Sequence, residues 1–190
     1  MEFREIDIVG SYLFSPRIFE DNRGSFTESF KQDLFADVTG SQFSVSQINT
    51  SVSKAKTLRG IHTAEVPPGQ AKYVMCSSGA IDDFVIDLRK GSPTFLTWQK
   101  INLDSNLRHA LFIPAGIGHG FVAKSDTAVV TYLCDHEFSP QSEFGINPFD
   151  VDLGVDWEIG SDQVIMSEKD RQAPNFYSEE VQSRLPTYAD

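Results

Sequence analysis

A mainly β fold, a sandwich or barrel with a few short helices, is what this sequence predicts. Short runs rich in β-branched and aromatic residues recur between about residue 43 and residue 135. Turn residues punctuate them at close intervals, the pattern of many short strands folded on one another. No fixed-period repeat, low-complexity tract or linker divides the 190 residues, so one domain (1–190) with a real core is expected.

The elements follow in order. "QFSVSQINTSVS" alternates polar and apolar residues, and "TLRGIH" leads into the turn Pro67-Pro68-Gly69. "KYVMCSS" and "AIDDFVIDLR" flank Gly79, and Gly91-Ser92-Pro93 precedes "PTFLTWQKINLD". "HALFIPAG", "GHGFVAKS" and "AVVTYLCD" complete the series, broken at Pro114-Ala115-Gly116 and Ser125-Asp126. One short helix is predicted near "KQDLFADV" and another at "YSEEVQSRL", where Ser178 can cap and Glu179 and Glu180 suit the first turn. The last forty residues, rich in Asp, Pro and Gly, read as irregular chain wrapped over the barrel.

Charge and cysteine content narrow the function. A net charge of −11 and a pI near 4.7 disfavour nucleic acid and anionic membranes, and an anionic small ligand needs a local basic cluster. The opening "MEFREIDIVG" carries acids and no long apolar run, and no later stretch approaches the about 18 apolar residues of a membrane span. Cys76 and Cys134 lie in strand-like runs and read as buried reduced thiols of a cytoplasmic protein.

Several residues carry chemistry in unexpected places, and each also has a purely structural reading. In a regular strand Leu58, Gly60, His62 and Ala64 share one face, and Arg59 and Ile61 the other. Arg59 and His62 reach one cavity only if the strand bulges, which Gly60 permits; otherwise His62 is a core histidine bonded to backbone. Lys72 alternates with Val74 and Cys76, as a pocket lysine or an edge lysine reaching water. Asp83, on the face of Ile81, Val85 and Asp87, is either its counter-charge on a neighbouring strand or a rim carboxylate. His119 stands between two glycines that allow close backbone approach, and Tyr132 is either a strand tyrosine of the core or a proton donor. The four histidines contain no His-x-His pair, and Thr63-Ala64 follows His62, so no metal centre is expected.

Nine motifs together resemble the dTDP-4-dehydrorhamnose 3,5-epimerase family of deoxysugar-nucleotide enzymes. They are "RIFEDNRGSFTESF", "SQINTSVSKAKTLRGIH", "GQAKYV", "DDFVIDLRKGSPTF", "FIPAGIGHGF", "TYLCD", "FSPQSE", "LGVDW" and "SEKDRQAP", in the family's order over about residues 10 to 175. The resemblance implies a cupin-like jelly roll, a site without metal or cofactor, and a homodimer that exchanges N-terminal strands. It implies an isomerase that inverts C3, C5 or both of a dTDP-4-keto-6-deoxyhexose. His62 matches the general base, Asp170 the carboxylate that orients it, Tyr132 the general acid and Lys72 the cation beside the C4 oxygen. Asp83 and His119 match neighbours of that lysine. Arg23, Glu28, Gln47, Asn49 and Arg59 match nucleotide- and sugar-binding positions, and Glu143 and Lys169 match further site positions. Thr63-Ala64 and Glu137-Phe138 depart from the rhamnose-pathway pattern, toward the branch that makes unusual deoxysugars.

The residue types suit the chemistry. A C–H bond beside a ketone is acidified because the carbanion delocalises onto oxygen, and neutral histidine is a base strong enough to take such a proton near neutral pH. Preorganised positive charge stabilises the enolate oxygen, and inversion needs a second group on the far face of the ring. Two rival readings share the fold: a sugar 3,4-ketoisomerase and a non-catalytic sugar-nucleotide-binding cupin. The set of His62, Lys72, Tyr132 and Asp170 favours the epimerases over both.

Overall fold

Strands begin close to the N-terminus, well before the residue 43 at which the sequence pattern starts to show them. The computed structural model describes residues 1–188. Its first elements are β1 (Glu2–Glu5), β2 (Tyr12–Ser15), β3 (Ile18–Asp21), β4 (Gly24–Thr27) and α1 (Gln32–Thr39). These strands have four residues each and carry several charges, too short and polar for alternation to register. The central strands follow as β5 (Gln47–Lys54), β6 (Leu58–Ala64), β7 (Lys72–Ser78), β8 (Ala80–Asp87), β9 (Trp98–Asp104), β10 (Ala110–Ile113), β11 (Ile117–Ala123) and β12 (Thr127–Cys134). A short β13 (Glu143–Gly145), α2 (Glu168–Arg171) and α3 (Glu179–Gln182) complete the chain.

Two antiparallel sheets face each other as a jelly roll. One runs β1-β2-β10-β7-β12-β5 and the other β13-β6-β11-β8-β9. Period-2 alternation explains the layers. Leu13, Val74, Leu111 and Val130 point inward from the first sheet and meet Ile81, Val85, Leu103 and Phe121 from the second. The outward residues of the first sheet, Phe14, Tyr73 and Phe112, pack under Phe35 of α1. Those of the second, Leu58, Ile61, Phe84 and Ile86, are covered by Ile146, Trp157, Phe176 and Val181 of the C-terminal segment. β8 is thus buried on both faces, and its aspartates Asp82, Asp83 and Asp87 are buried with it. The C-terminal segment packs on this sheet's outer face, and α3 is capped as anticipated by the Ser178 side chain, which accepts from the Val181 N–H.

β9 begins at Trp98, later than the "PTFLTWQKINLD" run predicts, because Asp87 organises a turn there. Its Oδ2 accepts from the Ser92 and Thr94 hydroxyls at 2.5 and 2.7 Å, and both carboxylate oxygens accept from Arg89 at 2.8 Å. Arg89 also donates to the Val9 carbonyl at 2.8 Å and lies over the Tyr188 ring, so this group ties both ends of the chain to the barrel.

Burial pushes the Asp87 carboxyl up, but the hydrogen bonds from Arg89, Ser92 and Thr94 outweigh it and hold it below the usual carboxylate range. A depressed folded pKa contributes stability that is present above the unfolded carboxylate value of about 3.9 and is lost as pH falls through the folded value. Asp87→Asn should therefore cost roughly 3–5 kcal/mol near neutral pH, since it strands a buried guanidinium. It should also weaken the fall in stability on acidification below about pH 4. Urea denaturation from pH 2 to pH 7 checks both; an unchanged midpoint at neutral pH would refute the role given to this network.

Candidate active site

The alternation that builds the core also builds the site, at one end of the barrel interior. On β7 the inward series Val74, Cys76 begins with Lys72, and on β12 the series Ala128, Val130 continues to Tyr132. On β11 and β8 the inward positions include His119 and Asp83 beside Phe121 and Ile81. β5, the edge strand of its sheet, turns Asn49, Ser51 and Ser53 inward, so the lining there is polar.

β6 departs from strict alternation, and the departure is what brings His62 and Arg59 together. His119 pairs with His62 while Phe121 pairs with Arg59, so β6 carries one residue more than β11 between the two pairs. The bulge falls at Gly60, at φ 126°. A Cβ there would lie 2.5 Å from the Gly120 Cα and 2.7 Å from the His119 carbonyl oxygen. Only glycine fits on either side of this contact. The bulge turns Leu58 and Ile61 to the outer face and both Arg59 and His62 to the cavity.

The result is a cleft with two lobes, of about 590 Å³ and about 230 Å³. Arg59, His62, Phe138 and Glu143 line both. Lys72, His119, Tyr132 and Asn49 line the smaller lobe, and Lys169 and Asp170 the larger. Asp83 and Gln47 stand just behind the lining, Asp83 bonded to His119 and Gln47 to Asn49. Arg23 and Glu28 lie elsewhere: Arg23 sits at the tip of the β3–β4 hairpin with its side chain 84% exposed, paired with Asp21, and Glu28 pairs with Lys31 at its base.

His62 and Asp170 form the most directed polar contact in the cleft. His62 Nε2 lies 2.7 Å from Asp170 Oδ1. A neutral ring donates to the carboxylate from Nε2, which leaves Nδ1 as the nitrogen able to accept a proton. Asp170 is presented by α2, whose cap Ser167 accepts from the Asp170 N–H at 3.0 Å. Burial raises the Asp170 carboxyl, but the hydrogen bond and charge of His62 prevail and hold it low. The four residues of α2 are too few for a periodic signal, so the helix interrupts what the sequence predicts as irregular chain.

A second pair sits deeper. His119 Nε2 donates to Asp83 Oδ2 at 2.8 Å, with both side chains buried. Asp83 is not on a strand beside Lys72, as the sequence suggested: β8 and β7 belong to opposite sheets, and the carboxylate bonds to His119 on the adjacent β11. Its charge acts on Lys72 across the interior. Burial raises Asp83, opposed by His119 and Lys72. Burial lowers Lys72, opposed by Glu143, Cys134 and Asp83. Tyr132 lies edge-on to His119, at 6.1 Å between ring centroids, with its hydroxyl 3.4 Å from Ser51 Oγ. Burial pushes its phenol well above the usual range.

Ser51, Gln70 and Phe138 also line the smaller lobe and were not anticipated as site residues. Ser51 continues the inward series from Gln47 and Asn49, and Gln70 stands two residues before Lys72, so period-2 counting would have found both. Among the described residues no group of three His, Cys, Asp or Glu side chains is placed to hold a metal ion, and no helix is long and apolar enough to cross a membrane.

A half-buried lysine and tyrosine facing a carboxylate-bound histidine, inside a jelly roll, define an acid–base enzyme acting on a small molecule. The sequence profile of dTDP-4-dehydrorhamnose 3,5-epimerase matches residues 5–178. A Streptomyces griseus protein named dTDP-4-dehydrorhamnose 3,5-epimerase is 43% identical over 187 residues, covering 98% of this chain and 92% of its own. NovW, described as a 4-keto-6-deoxy sugar epimerase from the novobiocin gene cluster of Streptomyces spheroides, superposes with a TM-score of 0.94 at 40% identity, covering 99% of this chain and 94% of its own. ChmJ, a 3′-monoepimerase of Streptomyces bikiniensis solved with dTDP-quinovose, gives 0.90 at 39% identity, covering 96% and 92%. The chain belongs to the dTDP-4-dehydrorhamnose 3,5-epimerase family, and it is an isomerase.

If His62 and Asp170 act as one unit, His62→Ala should lower turnover by about 100- to 10,000-fold, the usual worth of a general base, and Asp170→Asn by less. Epimerisation rates set beside thermal melts check this. A folded His62→Ala enzyme that still exchanges substrate protons at the wild-type rate would refute it.

Proposed function

We propose that this enzyme inverts C3, C5 or both of a dTDP-4-keto-6-deoxyhexose by removing the proton next to the C4 ketone and returning one to the opposite face. One observation carries the reading. His62 projects inward from one sheet and Tyr132 from the other, across the same small lobe. Inversion at carbon needs two proton-transfer groups on opposite faces, and a pure binding protein needs neither.

In this reading His62 Nδ1 accepts the proton, and Asp170 stabilises the imidazolium that forms. The electron pair left on carbon moves onto the C4 oxygen, which Lys72 meets with its ammonium. Burial makes that ammonium a better acid and a stronger hydrogen-bond donor to the enolate. The Asp83–His119 pair keeps a counter-charge across the cavity from Lys72. Tyr132 then donates its phenolic proton to carbon from the far side; its raised pKa keeps it protonated until that moment. Arg59, Asn49, Glu143 and Lys169 bind the sugar and diphosphate around the cleft. Arg59 donates from Nε to Ser53 Oγ at 3.1 Å, an arrangement that fixes the guanidinium for an anionic ligand. A local basic group inside an acidic protein is what an anionic substrate requires.

The working unit is a homodimer in which β3 and β4 of one subunit complete the cleft of the other. Arg23 stands away from its own chain's cleft, and among the described residues the hairpin pairs with no other strand. Phe19 and Phe26 are 43% and 65% exposed, as are Ile48 and Val52 at 64% and 63% on the free edge strand β5, so matching apolar surfaces await cover. Its two cysteines are buried and free, which suits a reducing cytoplasm.

Two experiments test these assignments. In D₂O, Tyr132→Phe should still wash deuterium into the substrate with configuration retained, while inverted product falls sharply. Phenylalanine keeps the packing but has no proton to give. Normal inversion by this variant would sink the two-face mechanism, and the wild-type labelling pattern at C3 and C5 identifies the inverted centres. For the dimer, the variants His62→Ala and Arg23→Ala are unfolded together and refolded as a mixture, then assayed at low substrate. Hybrid dimers contain one site with both residues intact, so activity should recover to about a quarter of wild type. No recovery would mean that Arg23 acts on its own subunit or not at all.

A further inference from the structure

We propose that Arg108 is a positioning residue: it holds the β3–β4 hairpin at the angle that delivers Arg23 and the exposed phenylalanines to a second copy of the chain. The proposal rests on the dimer reading above. β4 alternates, so Ser25 and Thr27 face one way while Phe26 faces the other. Arg108 takes the polar side. Its Nη1 donates to Thr27 Oγ1 at 2.9 Å and its Nη2 to Ser25 Oγ at 2.5 Å. Among the described residues no other hydrogen bond or ion pair joins residues 18–27 to the rest of the chain.

The arginine is itself held in place. Asp104 Oδ1 accepts from the N–H groups of Asn106 and Leu107 at 2.7 and 2.8 Å, closing the turn after β9. Arg108 ends that turn at φ 56°, its N–H donating to the Asp104 carbonyl at 3.0 Å and its Nε to Ser105 at 3.4 Å. The guanidinium leaves this rigid turn as a planar fork with two donors aimed at two hydroxyls one pleat apart. It borders a hollow of about 250 Å³ with Ser29 and Ser105, so it acts as a strut beside a gap. With Ser25 and Thr27 pinned inward, Phe26 and its cross-strand neighbour Phe19 are set facing out, at 6.5 Å between ring centroids. Lysine has one point of charge and no fork, and cannot hold both hydroxyls in register.

Free dTDP is the probe, because it measures ligand capture apart from chemistry. Arg108→Ala should weaken dTDP binding by about tenfold in calorimetry and raise KM similarly, with kcat changed far less. Ser25→Ala/Thr27→Val removes only the acceptors, leaves the turn intact, and should do the same, so a folding defect in Arg108→Ala does not shelter the proposal. Arg23→Ala should weaken dTDP too, and adding Arg108→Ala to it should cost less than Arg108→Ala costs alone, because the share of its effect that acts through Arg23 is already lost. Full additivity of the two losses, or wild-type affinity in the Ser25/Thr27 variant while Arg23→Ala is impaired, overturns the role of Arg108. Wild-type affinity in Arg23→Ala overturns the delivery reading beneath it, and the proposal falls with it.

Discussion

The contact between Gly60 and Gly120 is the constraint on which the site depends. Two backbones approach there too closely for any side chain, and one strand absorbs an extra residue as a result. That single residue decides which way Arg59 and His62 point. Without it, strict alternation would send Arg59 to the outer face, among the apolar side chains of the C-terminal segment. The bulge thus converts a strand that would serve only as wall into one that offers a base and an anion-binding group to the same cavity. Bulges beside active sites commonly re-aim side chains in this way.

Around that strand the jelly roll shows one design used twice. Alternation supplies Val, Ile and Leu to the middle of the barrel and, further along the same faces, Lys72, Tyr132, His119 and Asp83. The polar end inherits the rigidity of the apolar middle. Lys72 in one sheet feels the charges of Glu143 and Asp83 in the other, so displacing one sheet against the other would disturb both packing and electrostatics. A low local dielectric then strengthens each charge interaction relative to water.

Much of this was legible in the sequence, for identifiable reasons. The central strands are long enough for alternation and are bounded by Gly and Pro, and Gly60 announced its bulge. Lys72 and Tyr132 stood out because a charge or hydroxyl recurred at a core-facing period. β1 to β4, β13 and α2 stayed hidden, since three or four positions hold no period, whereas α3 showed through its Ser178 cap and β10 through its wholly apolar run. Asp83 was read onto the wrong strand pair because sequence order says nothing about which sheet a strand joins. His62 and Asp170 are 108 residues apart, and only the resemblance in "SEKD" joined them before the fold did. Arg108 escaped altogether, being one arginine in an ordinary turn.

The C-terminal segment has a consequence for how the chain is made. It covers Leu58, Ile61, Phe84 and Ile86 on the outside of the second sheet and, through α2, brings Asp170 to His62. Ribosomal synthesis runs from the N-terminus, so both sheets emerge before this segment does. A nascent barrel therefore carries its histidine without a partner carboxylate and one greasy wall without a cover. Sealing that wall and pairing the histidine fall to the same segment, so maturation of the enzyme and loss of its stickiest surface are completed together, by residues that leave the ribosome after both sheets.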